Sequence, residues 1–135
     1  MEFALAFVFL LPLFYGTLKF GLAFFYYNEL ASAVRAGARY ASYRTYDSAS
    51  ATPSQYYRDG VQNMTKCGDP YLCDTAVVPG LEKHNVWVKV TMVGGKPAFV
   101  TVSITSFTLD VVFTKIKLSR PSATFPYLGV YAPAT

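Results

Sequence analysis

Apolar positions near the start of the chain form one long run that changes its pattern at Asn28. Before that point nearly every residue is apolar, apart from Glu2 at the start and Lys19 inside the run. A helix of this length extends about 40 Å, more than the roughly 30 Å hydrocarbon core of a bilayer. After Asn28, apolar and small residues recur at helical spacing, at Leu30, Ala33, Val34, Gly37 and Ala41. The pattern predicts one helix from Glu2 to Asp47, with a membrane-length first part and an amphipathic second part.

Proline and glycine residues interrupt this predicted helix. Pro12 cannot donate a backbone hydrogen bond, so a kink or local unwinding is expected between Val8 and Pro12. Gly16 and Gly21 are either weak points or places where another helix approaches closely. Gly37 belongs to a narrow stripe of small residues, which favours packing against another helix over contact with lipid.

The second half of the chain alternates between apolar and polar residues, as strands do. Residues 85–92 and 99–107 alternate cleanly and are joined through Gly94-Gly95, which predicts a β-hairpin. Residues 111–118 predict a further strand pair, residues 55–64 a short helix, and the Pro- and Gly-rich end an irregular strap. The predicted fold is therefore α+β, with an N-terminal helix (residues 1–47) and a β-rich head (residues 48–135). The amphipathic half of the helix is the expected cover for the apolar face of the sheet.

Composition places the chain between soluble and membrane proteins. Its 135 residues are 53% hydrophobic and carry a net charge of +4, with room for one modest domain besides the helix. The basic residues are scattered, so a nucleic-acid partner is not supported. Glu2 precedes the apolar run, at the place where a secretory signal peptide carries Lys or Arg. The segment is thus either a signal anchor with an unusual start or a mature helix whose basic leader has been removed, and the second interpretation explains the missing positive charge.

Glu2 and Lys19 are the charges that an apolar helix must accommodate. Glu2 either lies at the membrane surface beside the helix N-terminus or pairs with a terminal ammonium group, which would set the register of packed helices. Lys19 either extends towards the membrane interface or forms an ion pair with a neighbouring chain. Glu2 lies about 26 Å and Glu29 about 15 Å from Lys19 along the helix, so each of them offers such a pair between shifted chains.

Cys67 and Cys73 enclose five residues, and this spacing fits neither a redox motif nor a zinc site. A disulfide that closes a short loop is expected, with two free thiols as the alternative. A disulfide would place this part outside the cytoplasm. Arg35 and Arg39 lie just after the apolar run, and positive charge there favours a cytoplasmic location for this side of an uncleaved anchor. That location conflicts with the one that a disulfide indicates. Removal of a basic leader would resolve the conflict. Asn63-Met64-Thr65 fits the glycosylation pattern, which is frequent by chance.

The chain carries none of the common catalytic motifs. It has no H-E-x-x-H or G-x-S-x-G sequence, and Gly94-Gly95-Lys96 lacks the rest of a phosphate-binding loop. Its single histidine, His84, cannot complete a metal site with the cysteines. We therefore expect no enzyme activity, no metal and no cofactor.

The N-terminal third of the chain resembles a known family. The residues that carry the resemblance are Glu2-Phe3-Ala4-Leu5, Leu11-Pro12-Leu13, Gly16, Phe20-Gly21, Ala33, Arg35 and Gly37-Ala38-Arg39-Tyr40-Ala41. They are similar to the N-terminal region of TadE/TadG-like proteins, pilin-like subunits of the tight-adherence branch of the type IV pilus superfamily. The similarity covers about residues 1–45, and the head fits only as a small β-rich domain with a disulfide.

The resemblance implies a function and a set of partners. A prepilin peptidase would cut before the apolar helix, the inner membrane would hold the subunit, and the assembly machinery would extrude it into a helical homopolymer. Glu2 would pair with the terminal amine of a neighbouring copy, which makes Met1, Glu2 and Lys19 the predicted register residues. This sequence departs from the family pattern at two positions. Relatives carry the glutamate at the fifth position after the cleavage site, and they often carry an acidic residue where Lys19 stands. We expect an extracellular filament that serves attachment, with a single-pass anchored envelope protein whose head binds a partner as the alternative and a secreted enzyme as a weaker one.

Overall fold

The computed structural model describes residues 2–111, 114–117 and 121–133 and has an α+β fold. Its elements are, in chain order, α1 (Glu2–Tyr43), α2 (Gln55–Cys67), a 3-10 helix (Lys83–Asn85), β1 (Val86–Val93), β2 (Lys96–Ile104), β3 (Thr108–Val111), β4 (Thr114–Lys117) and β5 (Ser122–Pro126). β1, β2 and β5 form an antiparallel sheet in that order, and β3 and β4 form a separate antiparallel pair. The predicted fold class, a long apolar helix followed by a small antiparallel sheet, is confirmed.

α1 is one uninterrupted helix of 42 residues, about 63 Å long. Pro12 lies inside it without a break, so the local unwinding expected there is absent. The proline removes one backbone hydrogen bond, and the helical bonds on both sides maintain the geometry. The helix ends at Tyr43, four residues before the predicted end at Asp47.

Groups from the head determine where α1 ends. The last carbonyl groups of a helix lack partners within it and need donors from elsewhere. The Tyr57 hydroxyl donates to the carbonyl oxygen of Ala41 (2.5 Å), and the Leu128 amide donates to that of Ser42 (2.9 Å). Donors from two distant segments thus cap the helix and fasten it to the head.

The predicted hairpin is present as β1 and β2. Val86, Val88 and Val90 are buried and lie opposite Ile104, Val102 and Val100, so the apolar residues share the inner face. Gly94 and Gly95 form the connection with φ values of 58° and 76°, a conformation that glycine adopts readily. The alternating pattern predicts this pairing because one face of the sheet is buried.

The end of the chain differs from the predicted irregular strap, because it contributes the third strand. β5 pairs with β2, from Ser103 opposite Ser122 to Phe99 opposite Pro126. The flanking residues continue the attachment: the Ile104 amide donates to Pro121 (3.0 Å) and the Tyr127 amide to Ala98 (2.8 Å). The strand pair expected at residues 111–118 exists as β3 and β4 but begins at Thr108, and Leu118 lies outside the described residues.

The second half of α1 and α2 together cover the inner face of the sheet. Leu30, Val34, Ala38 and Ala41 of α1 are buried in one core with the inward residues of β1 and β2. α2 begins at Gln55 and ends at Cys67, three residues beyond the predicted end. Ser54 caps its start by accepting from the Tyr57 amide (3.1 Å), and Gly68, in the left-handed conformation, ends it.

Candidate functional site

The first half of α1 is the most unusual surface of the molecule because it is apolar and bare. Every described residue from Ala6 to Leu18 is exposed. The large apolar side chains exposed along it are Phe7, Val8, Phe9, Leu10, Leu11, Leu13, Phe14, Tyr15, Leu18, Phe20, Leu22, Phe24 and Phe25, with Phe9 76% and Phe20 77% exposed. The helix meets the length and composition needed to cross a membrane, and none of the 18-residue stretch that qualifies is buried. We call residues 6–25 the bare segment.

The bare segment cannot remain in water in the folded protein. Burying one Leu or Phe side chain is worth about 1.5–3 kcal/mol, so leaving all of these exposed costs on the order of 20 kcal/mol. At about 1.5 Å per residue the segment is about 30 Å long, which matches the hydrocarbon thickness of a bilayer. Its length and composition therefore suit an environment of lipid or of other apolar helices.

The predicted packing residues Pro12, Gly16 and Gly21 lie together on this segment. They border a shallow depression of about 440 Å³ that Leu13, Thr17 and Phe20 complete. A side-chain carbon added at Gly16 or Gly21 would meet nothing within 4 Å. The Thr17 hydroxyl donates to the carbonyl oxygens of Phe14 (2.9 Å) and Leu13 (3.1 Å), so it enters an apolar environment with its hydrogen bond made. The depression offers space for a second helix to approach closely.

Gly37, the fourth predicted packing residue, lies instead against the head. A side-chain carbon at Gly37 would overlap the Thr65 hydroxyl oxygen and lie 3.1 Å from Thr65 Cβ. The whole small-residue stripe (Leu30, Ala33, Val34, Gly37 and Ala41) is buried within the chain. Gly37 thus packs against α2 of the same molecule, and the stripe as a whole lies in the core that α1 shares with α2 and the sheet.

The three predicted register residues are Met1, Glu2 and Lys19. Met1 lies outside the described residues, and Glu2 is described only as backbone at the first position of α1. The Lys19 ammonium lies over the ring of Tyr15, one turn earlier, with Nζ 5.2 Å from the ring centre. This cation–π contact reduces the cost of a charge in an apolar segment. The structure therefore places Lys19 on the bare segment, and its pairing with another copy stays a prediction.

Arg35 and Arg39 are exposed on the outer side of α1, at the level of the head. Arg44 follows them in the chain, and its side chain contacts aromatic residues. Its guanidinium group lies over the ring of Tyr56 (4.4 Å) and donates to the Tyr40 hydroxyl. Aromatic rings and arginines therefore line the side of the head where α1 ends.

Cys67 and Cys73 form the expected disulfide. Between them, the Asp69 carboxylate accepts the backbone amides of Tyr71 (2.7 Å) and Leu72 (2.9 Å). These bonds favour the ionised form, so the pKa of Asp69 is lowered. The small loop is thus shaped both by the covalent bond and by a carboxylate that stays charged.

The glycosylation pattern at Asn63 falls on α2 and not on a surface loop. Its side-chain amide donates to the carbonyl oxygen of Pro70 (3.2 Å). Thr65 is fully buried, and its hydroxyl donates to Val61 (2.8 Å). In the folded protein the pattern therefore lies on a helix, with its threonine in the core.

A cluster of tyrosines that the sequence did not single out fastens the end of the chain to the end of α1. The Tyr127 hydroxyl accepts from the Tyr46 amide (2.9 Å) and donates to the Arg44 carbonyl oxygen (2.8 Å). The rings of Tyr46 and Tyr57 meet edge to face, 5.1 Å apart. Burial raises the pKa of Tyr46, Tyr57 and Tyr127, so these hydroxyls stay protonated as donors. No periodic signal in the sequence marks this cluster, because Tyr127 lies more than eighty residues from Tyr46 and Arg44 in the chain.

Among the described residues, no group of three or more His, Cys, Asp or Glu side chains is arranged to hold a metal ion. The bare segment is therefore the surface from which a function can be inferred. Such a surface can insert into lipid or pack against similar helices, and the head is carried at one end of it.

Comparison with known proteins gives one match, at the same part of the chain. The family model for TadE-like proteins matches residues 1–39, which include the bare segment and the first turns of the buried half of α1. No curated protein and no solved structure shows significant similarity to the chain. The match confirms the resemblance to TadE-like proteins for the N-terminal helix, and together with the bare segment it fits a protein associated with a tight-adherence pilus.

Proposed function

We propose that this protein is a pilin-like subunit that polymerises through the bare segment of α1 into an extracellular filament, which serves attachment. The observation that carries the proposal is the division of α1 into two halves. Its second half is buried in the head, whereas the large apolar side chains of residues 6–25 face outwards on all sides. A helix in a bundle of copies needs apolar side chains on every face, because neighbours surround it.

The membrane and the filament would be two successive environments for the same surface. Before assembly the bare segment would span the inner membrane, and a prepilin peptidase and the pilus assembly machinery would act on the subunit there. The disulfide supports a location of the head outside the cytoplasm, where disulfides persist. In the filament the apolar contacts with lipid would be replaced by contacts with other copies.

Charge would set how the copies align. A carboxylate at Glu2 that meets the terminal ammonium of a neighbour has a partner in one register only, and any other register leaves both charges buried and unpaired. A buried charge that loses its partner costs about 3–5 kcal/mol. Lys19 offers a second means of alignment, because copies shifted by about 15 Å bring it level with Glu29 of a neighbour.

The proposed role is structural and not enzymatic. The chain lacks the common catalytic sequence motifs, and its bare segment serves assembly without any reaction. No cofactor and no nucleic acid has a part in it.

Electron microscopy of material sheared from the cell surface tests the proposal in the bacterium that makes the protein. We expect filaments whose subunit begins near Met1 with a free or methylated amine by mass spectrometry. Glu2→Ala should lower filament yield about 100-fold or more, because each unpaired contact costs at least about 3 kcal/mol. The amount of subunit in the membrane fraction should not change.

Asp74→Ala is the matched control, since it removes one exposed carboxylate from the head. Filament yield should stay normal in that variant. Normal yield from Glu2→Ala would remove the register role. A protein found only in membranes, with a formyl-methionine start, would overturn the filament itself.

The second candidate function is a single-pass anchored envelope protein whose head binds a partner. The observation that favours it is the outer face of the sheet, where Trp87 and Phe99 expose large aromatic surface. Under this alternative the bare segment stays in lipid, and Glu2→Ala changes neither location nor binding by the head.

A further inference from the structure

One cleft in the head combines cationic and aromatic side chains and has no assigned role. It has a volume of about 360 Å³ and lies between α2, the 51–53 loop and the start of β1. Volumes of about 300–1,000 Å³ are typical of small-molecule sites, so this cleft suits a ligand of one or two rings. Its chemically distinctive lining residues are Arg58, Gln62, Trp87 and Lys89.

The charges in the cleft favour an anion. Arg58 and Lys89 are exposed, and neither forms a salt bridge with any residue in the described ranges. At the edge of the cleft, Nδ1 of His84 lies 3.1 Å from Oε2 of Glu82. An arginine presents a planar pair of donors that matches a carboxylate. The two uncompensated cations therefore complement a negatively charged ligand.

Trp87 adds an apolar platform beside these cations. Its side chain is 62% exposed, an unusual state for the largest aromatic residue. Lys89 lies two residues along β1 and shares the outward face with Trp87. A pyranose ring carries C–H groups on its faces and hydroxyl groups around its edge, so a flat aromatic surface next to donors suits it.

The sheet continues this surface with hydroxyl groups. Trp87 lies opposite Ser103, which lies opposite Ser122, and Lys89 lies opposite Thr101. Thr101 in turn lies opposite Thr124, and their hydroxyl oxygens are 2.8 Å apart. Two hydroxyl-bearing rows thus run from the cleft across the sheet, and they offer hydrogen bonds to a longer chain of sugars.

We propose that this cleft binds an acidic saccharide, with its carboxylate between Arg58 and Lys89 and a sugar ring on Trp87. The size of the cleft favours this ligand over single-stranded nucleic acid, which typically needs about 4–16 nucleotides of groove and several stacking aromatics. The cleft lies near the far end of α1, since Tyr57, next to Arg58, contacts Ala41. It is therefore about 20 Å or more from the bare segment and accessible whether that segment is in lipid or in a bundle.

The use of this site for attachment rests on the proposed filament, but binding itself is measured on unassembled protein. Trp87 is the single tryptophan of the chain, so its fluorescence reports directly on the cleft. The full chain in detergent micelles is titrated with digalacturonate, and with neutral galactobiose as the uncharged counterpart. We expect a saturable change with the acidic sugar in the micromolar to millimolar range and binding at least about tenfold weaker with the neutral one.

Variants then locate the binding. Arg58→Gln and Lys89→Gln should each weaken binding about tenfold, because each removes a charged hydrogen bond. Lys96→Gln is the matched control, since it removes the same charge at the hairpin turn, outside the cleft. Calorimetry compares Trp87→Ala, which should lose binding, with Phe99→Ala on the same face, which should retain it.

Four results would overturn the proposal. They are equal binding of galactobiose, equal weakening by Lys96→Gln, equal or tighter binding of tetrathymidylate, and no fluorescence response to digalacturonate. Each is independent of filament formation, because no step of the assay requires assembly. A loss of filaments in Glu2→Ala would likewise leave the sugar affinity of the head unchanged.

Discussion

Replacing Gly37 by alanine tests how closely α1 must approach α2. The added carbon would overlap the Thr65 hydroxyl oxygen and lie 3.1 Å from Thr65 Cβ. Thr65 is fully buried, and its hydroxyl is held by the Val61 carbonyl oxygen at 2.8 Å. The threonine can move only by giving up that bond or by pushing the two helices apart.

The two effects of Gly37→Ala have opposite signs, and their sizes decide the outcome. Alanine favours the helix by about 1 kcal/mol over glycine. Overpacking a tight core typically costs about 1–3 kcal/mol, and a buried hydroxyl without its partner costs about 1–3 kcal/mol more. The net expectation is a loss of roughly 1–5 kcal/mol in the free energy of unfolding of the head. For a domain of this size that corresponds to a Tm lower by roughly 5 °C or more.

Thermal unfolding of the full chain in detergent, followed by circular dichroism, measures this loss. Gly16→Ala is the matched control, because it is the same substitution in the same helix with open space around it. It should leave the Tm of the head unchanged. Thr65→Ala removes the overlapping oxygen, so the double variant should lose less stability than the two single variants together. An unchanged Tm for Gly37→Ala, or strictly additive losses, would refute the close contact.

Three further substitutions or conditions test the head. Gly129→Ala should destabilise the head by about 2 kcal/mol or more in chemical unfolding. The new carbon would lie 2.6 Å from the carbonyl oxygen of Arg44 and 2.9 Å from that of Tyr43, and backbone atoms cannot move aside easily. An unchanged unfolding midpoint would contradict this close contact. Tyr57 has a raised pKa in the folded state, so its contribution to stability is complete below its ordinary value of 10.0 and is lost as the pH rises above it. Alkaline unfolding of Tyr57→Phe should therefore depend less on pH, and an identical pH profile would contradict the burial of this hydroxyl. Cys67→Ser should cost about 2 kcal/mol by the loop-entropy estimate, and peptide mass mapping without reductant should show the two cysteines joined, whereas free thiols would contradict the bond.

The elements that the sequence predicted well are those whose pattern is local. The hairpin follows from alternation on either side of Gly94-Gly95, because burial of one face fixes both the period and the register. The long helix follows from its uninterrupted apolar run. In both cases the information lies within a short stretch of chain, so distant contacts need not be known.

The features that the sequence did not predict depend on distant partners. β5 is preceded by Pro121 and ends at Pro126, and prolines are signals for irregular structure. The segment becomes a strand because β2 offers it an edge. α1 ends at Tyr43 because Tyr57 and Leu128 supply donors to its last carbonyl groups. The cleft escaped notice for the same reason, since Arg58 and Lys89 come together only when α2 packs beside β1.

The buried stripe of small residues changes what the rest of α1 has to do. From its composition, the stripe from Leu30 to Ala41 suited contacts between copies, yet the core of the head occupies it fully. Any packing of copies through α1 therefore uses the part of the helix that precedes the stripe, where residues 6–25 carry exposed large apolar side chains. Substitutions in the stripe should lower the stability of the subunit, whereas substitutions at Gly16 or Gly21 should spare the head and act on filament yield alone. Under the proposed function the same helix would carry two separable roles, and the boundary between them would lie near Asn28, where the hydrophobic pattern of the sequence changes.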